Sequence, residues 1–383
     1  MTITFYSNFL NDHQLPICLE FLKNVGEENF HFVADERIAP DRIAFGFEDM
    51  NEMYPFVVKA YEGGQSEELA KRLMIDSDVV IIGSSKNMPY KERINKGGLT
   101  FRYNERFLKS GDYRLFDLRL QLNMYKEFSC YRNKSLYMLC ASAYTSRDLK
   151  LFGFPKEKCY KWGYFPFVYQ YEDIGALLIK KNSYSNTKEV SLLWVGRFID
   201  WKHPEIPIKI ANKLVREGYK FKLNMIGIGP MKEQIHNLIK SYQLDNVIHL
   251  LGAMPPAEVR KEMEESEIFL FTSDKGEGWG AVLNESLNSA CAVVANHSIG
   301  SVPFVLNHTV NGLEYKKNWK DAYKQVKILI NSPDLRKKMG RAGYETISKT
   351  WNASNAVVRF ICLCNNLKNG QETVYVDGPC SKA

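Results

Sequence analysis

The sequence predicts an α/β protein made of two doubly wound parallel sheets in tandem. Three observations lead there. At 383 residues the chain is too long for one ordinary domain, and two is the natural number. Short, continuously apolar runs such as Val79-Val80-Ile81-Ile82 and Leu136–Cys140 have the composition of strands buried on both faces of a parallel sheet. These runs alternate with helix-length segments, and the alternation lapses in a polar stretch at 180–188 before restarting.

Taken in order, the chain opens with an apolar strand, Ile3–Ser7. A turn over 8–12 follows, then a helical pattern through Leu15, Cys18 and Leu22 that ends near Gly26. Phe30–Ala34 reads as the next strand, and the runs at 78–83 and 136–140 as later ones. Residues 171–190 lose the order and are expected to link the domains. The second half restarts with strand Ser191–Val195 and a helix that carries Pro204 near its first turn, presents Ile206, Ile210 and Leu214, and stops at Gly218. Strands follow at Phe221–Ile226, Val247–Leu250, Ile268–Thr272 and Ala292–Ala295, with helices through Met231, Ile235 and Leu238 and from near Gly280. The expected domains are 1–170 and 191–351, then a helix over 352–368 and an extended tail at 369–383.

Composition removes several classes. Hydrophobic residues make up 45% and charged residues 25%, ordinary for a globular protein and wrong for a disordered or fibrous one. The segment Met1–Tyr6 lacks the basic start and apolar core of a secretion signal. No apolar run approaches the roughly 20 residues of a membrane-spanning helix. The eight cysteines form no CxxC pair and read as reduced core residues, so a cytoplasmic setting is expected. A net charge of +7 suits phosphorylated substrates, an anionic membrane face or nucleic acid. The chain has no Lys/Arg block of the kind nucleic acid binding favours, so no nucleic-acid partner is expected.

The most informative segment is Glu277-Gly278-Trp279-Gly280-Ala281-Val282-Leu283-Asn284-Glu285. It follows an apolar strand and opens a helix. Gly278 and Gly280 let backbone come close to a ligand, and the N–H groups of a new helix can meet a phosphate. The two glutamates sit at separate depths, one on the loop and one in the helix, where each can accept from a different set of hydroxyls. A second constellation, Val195-Gly196-Arg197-Phe198-Ile199-Asp200-Trp201-Lys202, stands at the first strand–helix turn of the second domain. An Arg fork and a Lys point charge there suit a diphosphate whose charge grows as it leaves.

The 277–285 segment matches the E-x7-E motif of retaining GT-B glycosyltransferases, and its surroundings resemble glycosyltransferase family 4. The resemblance is specific over Ser191–Trp351 and weak before residue 170. It implies the GT-B fold, with two Rossmann-like domains facing across a cleft and the terminal helix returning to the first domain. It implies Glu277 against the donor sugar, Glu285 on the ribose hydroxyls, and Arg197 and Lys202 on the diphosphate. Gly278, Trp279, Gly280, Ala281, Gly196, Gly227 and Gly229 are then donor-binding positions. It further implies a hexosyl-type transferase that uses a UDP- or GDP-linked sugar, needs no cofactor or metal, and retains anomeric configuration. The acceptor would be a glycan or lipid-linked, as in bacterial capsular or surface polysaccharide synthesis, with peripheral contact at the inner membrane face. Other GT-B chemistry, such as nucleotide-sugar epimerisation or phosphorolysis, and a non-catalytic nucleotide- or sugar-binding module are the alternatives.

Several segments carry two readings. Gly227-Ile228-Gly229-Pro230 lacks the third glycine of a dinucleotide fingerprint because position 232 is Lys232. It reads as a nucleotide neighbour by resemblance or as a tight strand–helix turn. The loop after Leu250 matches a base-contacting position only by place. Gly300-Ser301-Val302-Pro303 departs from the family loop in carrying Phe304 where a glutamate is usual, and Gly83-Ser84-Ser85 holds no histidine where the family often has one. His13, after the first strand, either overhangs the ligand as a catalytic group or caps the helix beside it. Arg102, Glu105 and Arg106 belong to an acceptor-binding loop, Glu105 serving as base, or to a surface helix. Asp76-Ser77-Asp78 resembles a metal-binding D-x-D and reads instead as a helix-to-strand turn.

Overall fold

Two all-parallel sheets organise the chain. A computed structural model describes residues 1–38, 48–85, 88–183, 189–372 and 375–383. The first sheet contains β1 (Ile3–Ser7), β2 (Phe30–Ala34), β3 (Val57–Lys59), β4 (Val79–Ile82), β5 (Leu99–Asn104), β6 (Leu136–Cys140) and β7 (Cys159–Lys161), in the order β3-β2-β1-β4-β5-β6-β7. The second contains β8 (Val190–Val195), β9 (Phe221–Ile226), β10 (Ile248–Gly252), β11 (Ile268–Phe271), β12 (Ala292–Asn296) and β13 (Gly312–Tyr315), in the order β10-β9-β8-β11-β12-β13. Both orders reverse direction once, between β1 and β4 and between β8 and β11. Connections on either side of such a reversal leave toward opposite faces of the sheet, which opens a crevice at the strands' carboxyl ends. The architecture is that of the GT-B fold.

The chain divides into two compact units, Met1–Phe167 with Asn352–Ala383, and Val168–Trp351. In the stretch expected to link domains, the helix Ile174–Ser183 forms instead. Its Lys181 is buried, and the ammonium donates to the carbonyls of Met263 and Ser266 at 2.6 Å each, so the helix is anchored to the second unit. Residues 184–188 of that polar stretch lie outside the described residues. Residues 97–106, read from sequence as loop or surface helix, supply central strand β5. The exposed-looking polar side chains at its end concealed the buried Leu99, Thr100 and Phe101 at its start.

The terminal helix Ala353–Lys368 closes the first unit. Phe360 is fully buried and meets Phe21, Phe101 and Trp162 at centroid distances of 5.6, 4.9 and 5.6 Å. The tail beyond it lies along β7: Cys380 N–H donates to Lys161 O at 2.8 Å, Ala383 N–H to Cys159 O at 3.1 Å, and Lys382 bridges Tyr160 antiparallel. It thereby occupies a sheet edge that would otherwise present unpaired backbone.

The Asp76-Ser77-Asp78 triplet is the turn from the helix Gly64–Asp76 into β4. Asp78 accepts from Thr2 N–H at 2.9 Å and from the Lys368 ammonium at 2.8 Å, tying the first strand to the terminal helix. Lys368, and then the Thr2 amide, hold its carboxyl down at about 2.

Phe360→Ala, which empties a site lined by three aromatic rings, should destabilise the first unit by about 3–5 kcal/mol, read as a lowered denaturant midpoint. Asp78 has a folded pKa below its unfolded value near 3.9, so its contribution is present above about pH 4 and is lost as pH falls toward 2. Asp78→Asn should therefore flatten the acid limb of a Tm-against-pH curve in that window. The side chain is 44% exposed, so the difference should stay under about 1 kcal/mol.

Candidate active site

The reversal between β8 and β11 brings two loops of the second unit together. Thr272, directly after β11, accepts from the buried Trp194 indole at 2.8 Å and donates to the Lys202 carbonyl at 2.8 Å. Asp274 N–H donates to Trp201 O at 2.8 Å. His203 holds a left-handed backbone (φ 51°), and its ring lies 3.1 Å from Glu205 and 3.3 Å from Asp274. The Glu205 contact raises its pKa against the opposing effect of burial. Sequence reasoning passed over His203 and Thr272; the one available signal was a histidine flanked by Lys202 and Pro204, with an acid at Glu205.

Pinned this way, Lys202 forms an ion pair with Glu277, which also accepts from Ser273 Oγ at 2.8 Å. The side chains are 18% and 13% exposed, a half-sheltered setting in which the attraction is less screened than on an open surface. Arg197 is exposed on the same loop as Lys202 and carries no ion pair among the described residues. Glu285 lies in the short helix Val282–Asn288, and its carboxylate likewise has no hydrogen-bond partner among them. Two of the four expected groups are thus joined, and two are left for other partners.

Of the two readings of Gly227 and Gly229, the tight strand–helix turn is the one the geometry displays, and Trp279 turns away from its expected place at the donor. Gly227 (φ 143°) comes so close to the first loop that a Cβ there would lie 1.8 Å from Gly196 O. Its N–H is taken by Gly252 O at 2.7 Å, and Gly196 N–H by Ile226 O at 3.0 Å. Gly229 packs against Phe198 in the same manner. The G-x-G-P run therefore makes the tight turn that seats the loop bearing Arg197. Trp279, expected at the donor, is fully buried; its indole donates to Asn284 Oδ1 at 3.0 Å and packs on Trp351 at 5.8 Å and Phe304 at 6.4 Å. Its large apolar surface draws it inward. Phe304, in the place of the family's glutamate, stacks on Trp351 at 6.1 Å and completes that aromatic cluster. The 300–303 loop remains beside the site, since Gly300 N–H reaches Glu277 O at 3.4 Å. Gly278, Gly280 and Ala281 lie between the Glu277 loop and the helix that carries Glu285, and Gly280 (φ 80°) leaves no room for a Cβ against Phe271.

The first unit has its own cavity of about 510 Å³ at the β1/β4 reversal, lined by His13, Gly83, Ser84, Asn104, Glu105, Arg106 and Tyr164 among others. His13 does not cap its neighbouring helix, Leu15–Val25, which has no side-chain cap; the Asn11 side chain closes the turn before it, accepting from the N–H groups of His13 and Gln14 at 3.1 and 3.2 Å. The His13 ring stacks instead on Tyr164 at 5.9 Å. Tyr164 donates to Glu105 at 2.6 Å, and Lys109 pairs with the other carboxylate oxygen. Arg106 lies 3.5 Å from buried Asp148 and over the Tyr144 ring. His13 Nδ1, Asn104 Oδ1 and Arg106 Nε are buried without hydrogen-bond partners among the described residues. Arg102 does not join them. It points into a separate cavity of about 470 Å³, 3.4 Å from Glu127 and over Tyr90. Tyr164, which holds both His13 and Glu105, gave no sequence signal.

Residues 178–346 match the family model described as Glycosyl transferases group 1. The putative colanic acid biosynthesis glycosyltransferase WcaL of Salmonella typhimurium is 29% identical over 111 residues, 28% of this chain and 27% of that protein. The amylovoran biosynthesis glycosyltransferase AmsK of Erwinia amylovora is 28% identical over 126 residues, 32% of this chain and 31% of that protein. The chain thus matches about a third or less of the length of these two curated relatives. Among solved structures, Anabaena HepE in complex with UDP has a TM-score of 0.66 at 14% identity, covering 96% of this chain and all of that one.

Because the Cβ of an alanine at 227 would overlap the Gly196 carbonyl, Gly227→Ala should displace the Arg197 loop and destabilise the second unit by about 2 kcal/mol or more. Differential scanning calorimetry of the variant checks this without any ligand.

Proposed function

We infer from the match of residues 178–346 to the glycosyl transferases group 1 model that this protein moves a hexosyl-type sugar from a UDP- or GDP-linked donor to a glycan or lipid-linked acceptor. The observation that carries the reading is the Lys202–Glu277 pair at the β8/β11 reversal, with Arg197 on the same loop and Glu285 one short helix away. Glu277 takes the donor sugar and Glu285 the ribose hydroxyls. Arg197 and Lys202 take the diphosphate.

When the donor binds, a phosphate oxygen competes with Glu277 for Lys202. The carboxylate so released accepts from sugar hydroxyls. The bond from the anomeric carbon to the phosphate oxygen breaks, and charge grows on the departing diphosphate, where a preorganised Arg and Lys stabilise it more than in the ground state. The acceptor hydroxyl attacks from the face the diphosphate leaves, its oxygen bonds the anomeric carbon, and its proton passes to the leaving oxygen. The outcome is retention. With two cations meeting the leaving group, the reading calls for no metal. HepE was solved with UDP and with UDP-glucose, and WcaL and AmsK are named for colanic acid and amylovoran biosynthesis. These support a nucleotide-sugar donor and a polysaccharide product.

A thermal-shift screen of UDP- and GDP-sugars should find one that raises Tm, since a ligand bound only by the folded state stabilises it. Glu285→Ala should then weaken donor binding, and Arg197→Ala should lower turnover by about a hundredfold with a smaller effect on KM. Unchanged kinetics in both variants would defeat the assignment. Products that are only epimerised or phosphorolysed would point to other GT-B chemistry, and nucleotide binding without turnover to a binding module.

A further inference from the structure

The first unit exposes an apolar surface that its own packing does not explain. Residues 113–125 contain Tyr113, Phe116, Leu118, Leu122 and Tyr125, exposed by 68, 86, 79, 52 and 56%. Scattered single apolar side chains are ordinary on a surface, but five within one short turn and helix are not. The helix Leu118–Glu127 buries Met124 on its inner side. At about 100° per residue, Leu118, Leu122 and Tyr125 fall within an arc of about 60° on the outer side, and Arg119 and Lys126 follow as a second stripe alongside. Phe116 and Tyr113 extend the apolar stripe from the preceding turn.

The charges sort in the same direction. Asp112 is bound by Arg147, and Asp117 by Arg114 while also capping the helix. Glu127, on the inner side, is held by Lys91 and Arg102. Arg119 and Lys126 have no ion pair among the described residues, so the outward surface is apolar and cationic. A protein partner would favour a groove or a charge-depleted core, whereas here the apolar side chains protrude and the cations flank them. That combination matches an anionic bilayer: side chains entering the acyl boundary, tyrosines at headgroup level and cations on lipid phosphates. Among the described residues no helix is long and apolar enough to cross a membrane, so the contact is with the surface.

We propose that the outer face of residues 113–126 docks the protein on an anionic lipid surface, with Phe116, Leu118 and Leu122 inserted and Arg119 and Lys126 on the headgroups. The proposal rests on the transferase reading only in giving the lipid-linked acceptor a location, and it can be tested without turnover. The full chain is floated with vesicles of phosphatidylcholine alone and of equal parts phosphatidylcholine and phosphatidylglycerol, at low and high salt. The expected result is binding to the anionic vesicles, weakened by salt. The triple variant Phe116→Ser, Leu118→Ser, Leu122→Ser should bind at least about tenfold less, and Arg119→Glu with Lys126→Glu should remove the preference for anionic vesicles. All these side chains point outward, so circular dichroism and Tm should be unchanged; Val215→Ser with Ile328→Ser, exposed elsewhere, should leave vesicle binding intact. Failure of the unaltered protein to bind anionic vesicles overturns the proposal, as does equal binding by the triple variant or equal loss in the Val215/Ile328 control. A change in oligomeric state without a change in vesicle binding also overturns it, and assigns the face to a second copy. A nucleotide-sugar thermal shift measured on the same variants keeps the two readings apart: it tests the second unit and should not move.

Discussion

Thr272 is the hydrogen-bonding hinge on which the second unit's site depends. One hydroxyl accepts from an indole inside the core and donates to the backbone of the neighbouring loop, so the position of Lys202 is set by the packing of Trp194 beneath the sheet. A buried hydroxyl with both roles filled is rigid, because breaking either bond leaves a polar group stranded in a low-dielectric interior. Gly227 seals the arrangement from the other side by bringing the β9 turn against Gly196, closer than any side chain would allow. The ion pair of Lys202 with Glu277 is thus held by the fold, and a ligand has to compete only with one exchangeable contact.

Both units use their strand-order reversal in the same way. In the second it gathers charged groups from the loops after β8 and β11. In the first it gathers His13, Glu105 and Tyr164 around a cavity floored by Gly83 and Ser84. The chemistry differs with the surroundings. Lys202 and Glu277 pair with each other, while the first unit leaves a ring nitrogen, an amide oxygen and a guanidine nitrogen buried without hydrogen-bond partners among the described residues.

Much of the fold was legible in the sequence. Strands β1, β2, β4, β6, β8, β11 and β12 announce themselves as mainly apolar runs of the right length, since a strand buried on both faces has little room for anything else, while β9 and β10 were read from runs that carry polar residues. What escaped was either short, as with β3 and β7, or mixed, as with β5, whose polar carboxyl end belongs to a cavity and whose apolar half is only three residues long. The 171–190 stretch misled because Lys180 and Lys181 look like solvent residues, although Lys181 spends its charge on two buried carbonyls. Within the candidate site, the glutamates and cations could be named because residues 277–285 and 195–202 resemble a family's motifs. The inward turn of Trp279 could not, since it depends on Phe304 and Trp351, which are distant in sequence and adjacent only once folded.

The first unit is discontinuous: it takes residues 1–167 and then residues 352–383 from the other end of the chain. A ribosome therefore delivers the entire second unit before the segment that completes the first. During that interval the aromatic seat for Phe360, formed by Phe21, Phe101 and Trp162, has no cover, and the β7 edge has no neighbour. Synthesis from the N-terminus thus inverts the usual order of maturation: the unit begun first is finished last, and its sheet waits with an uncovered aromatic seat through about half of translation.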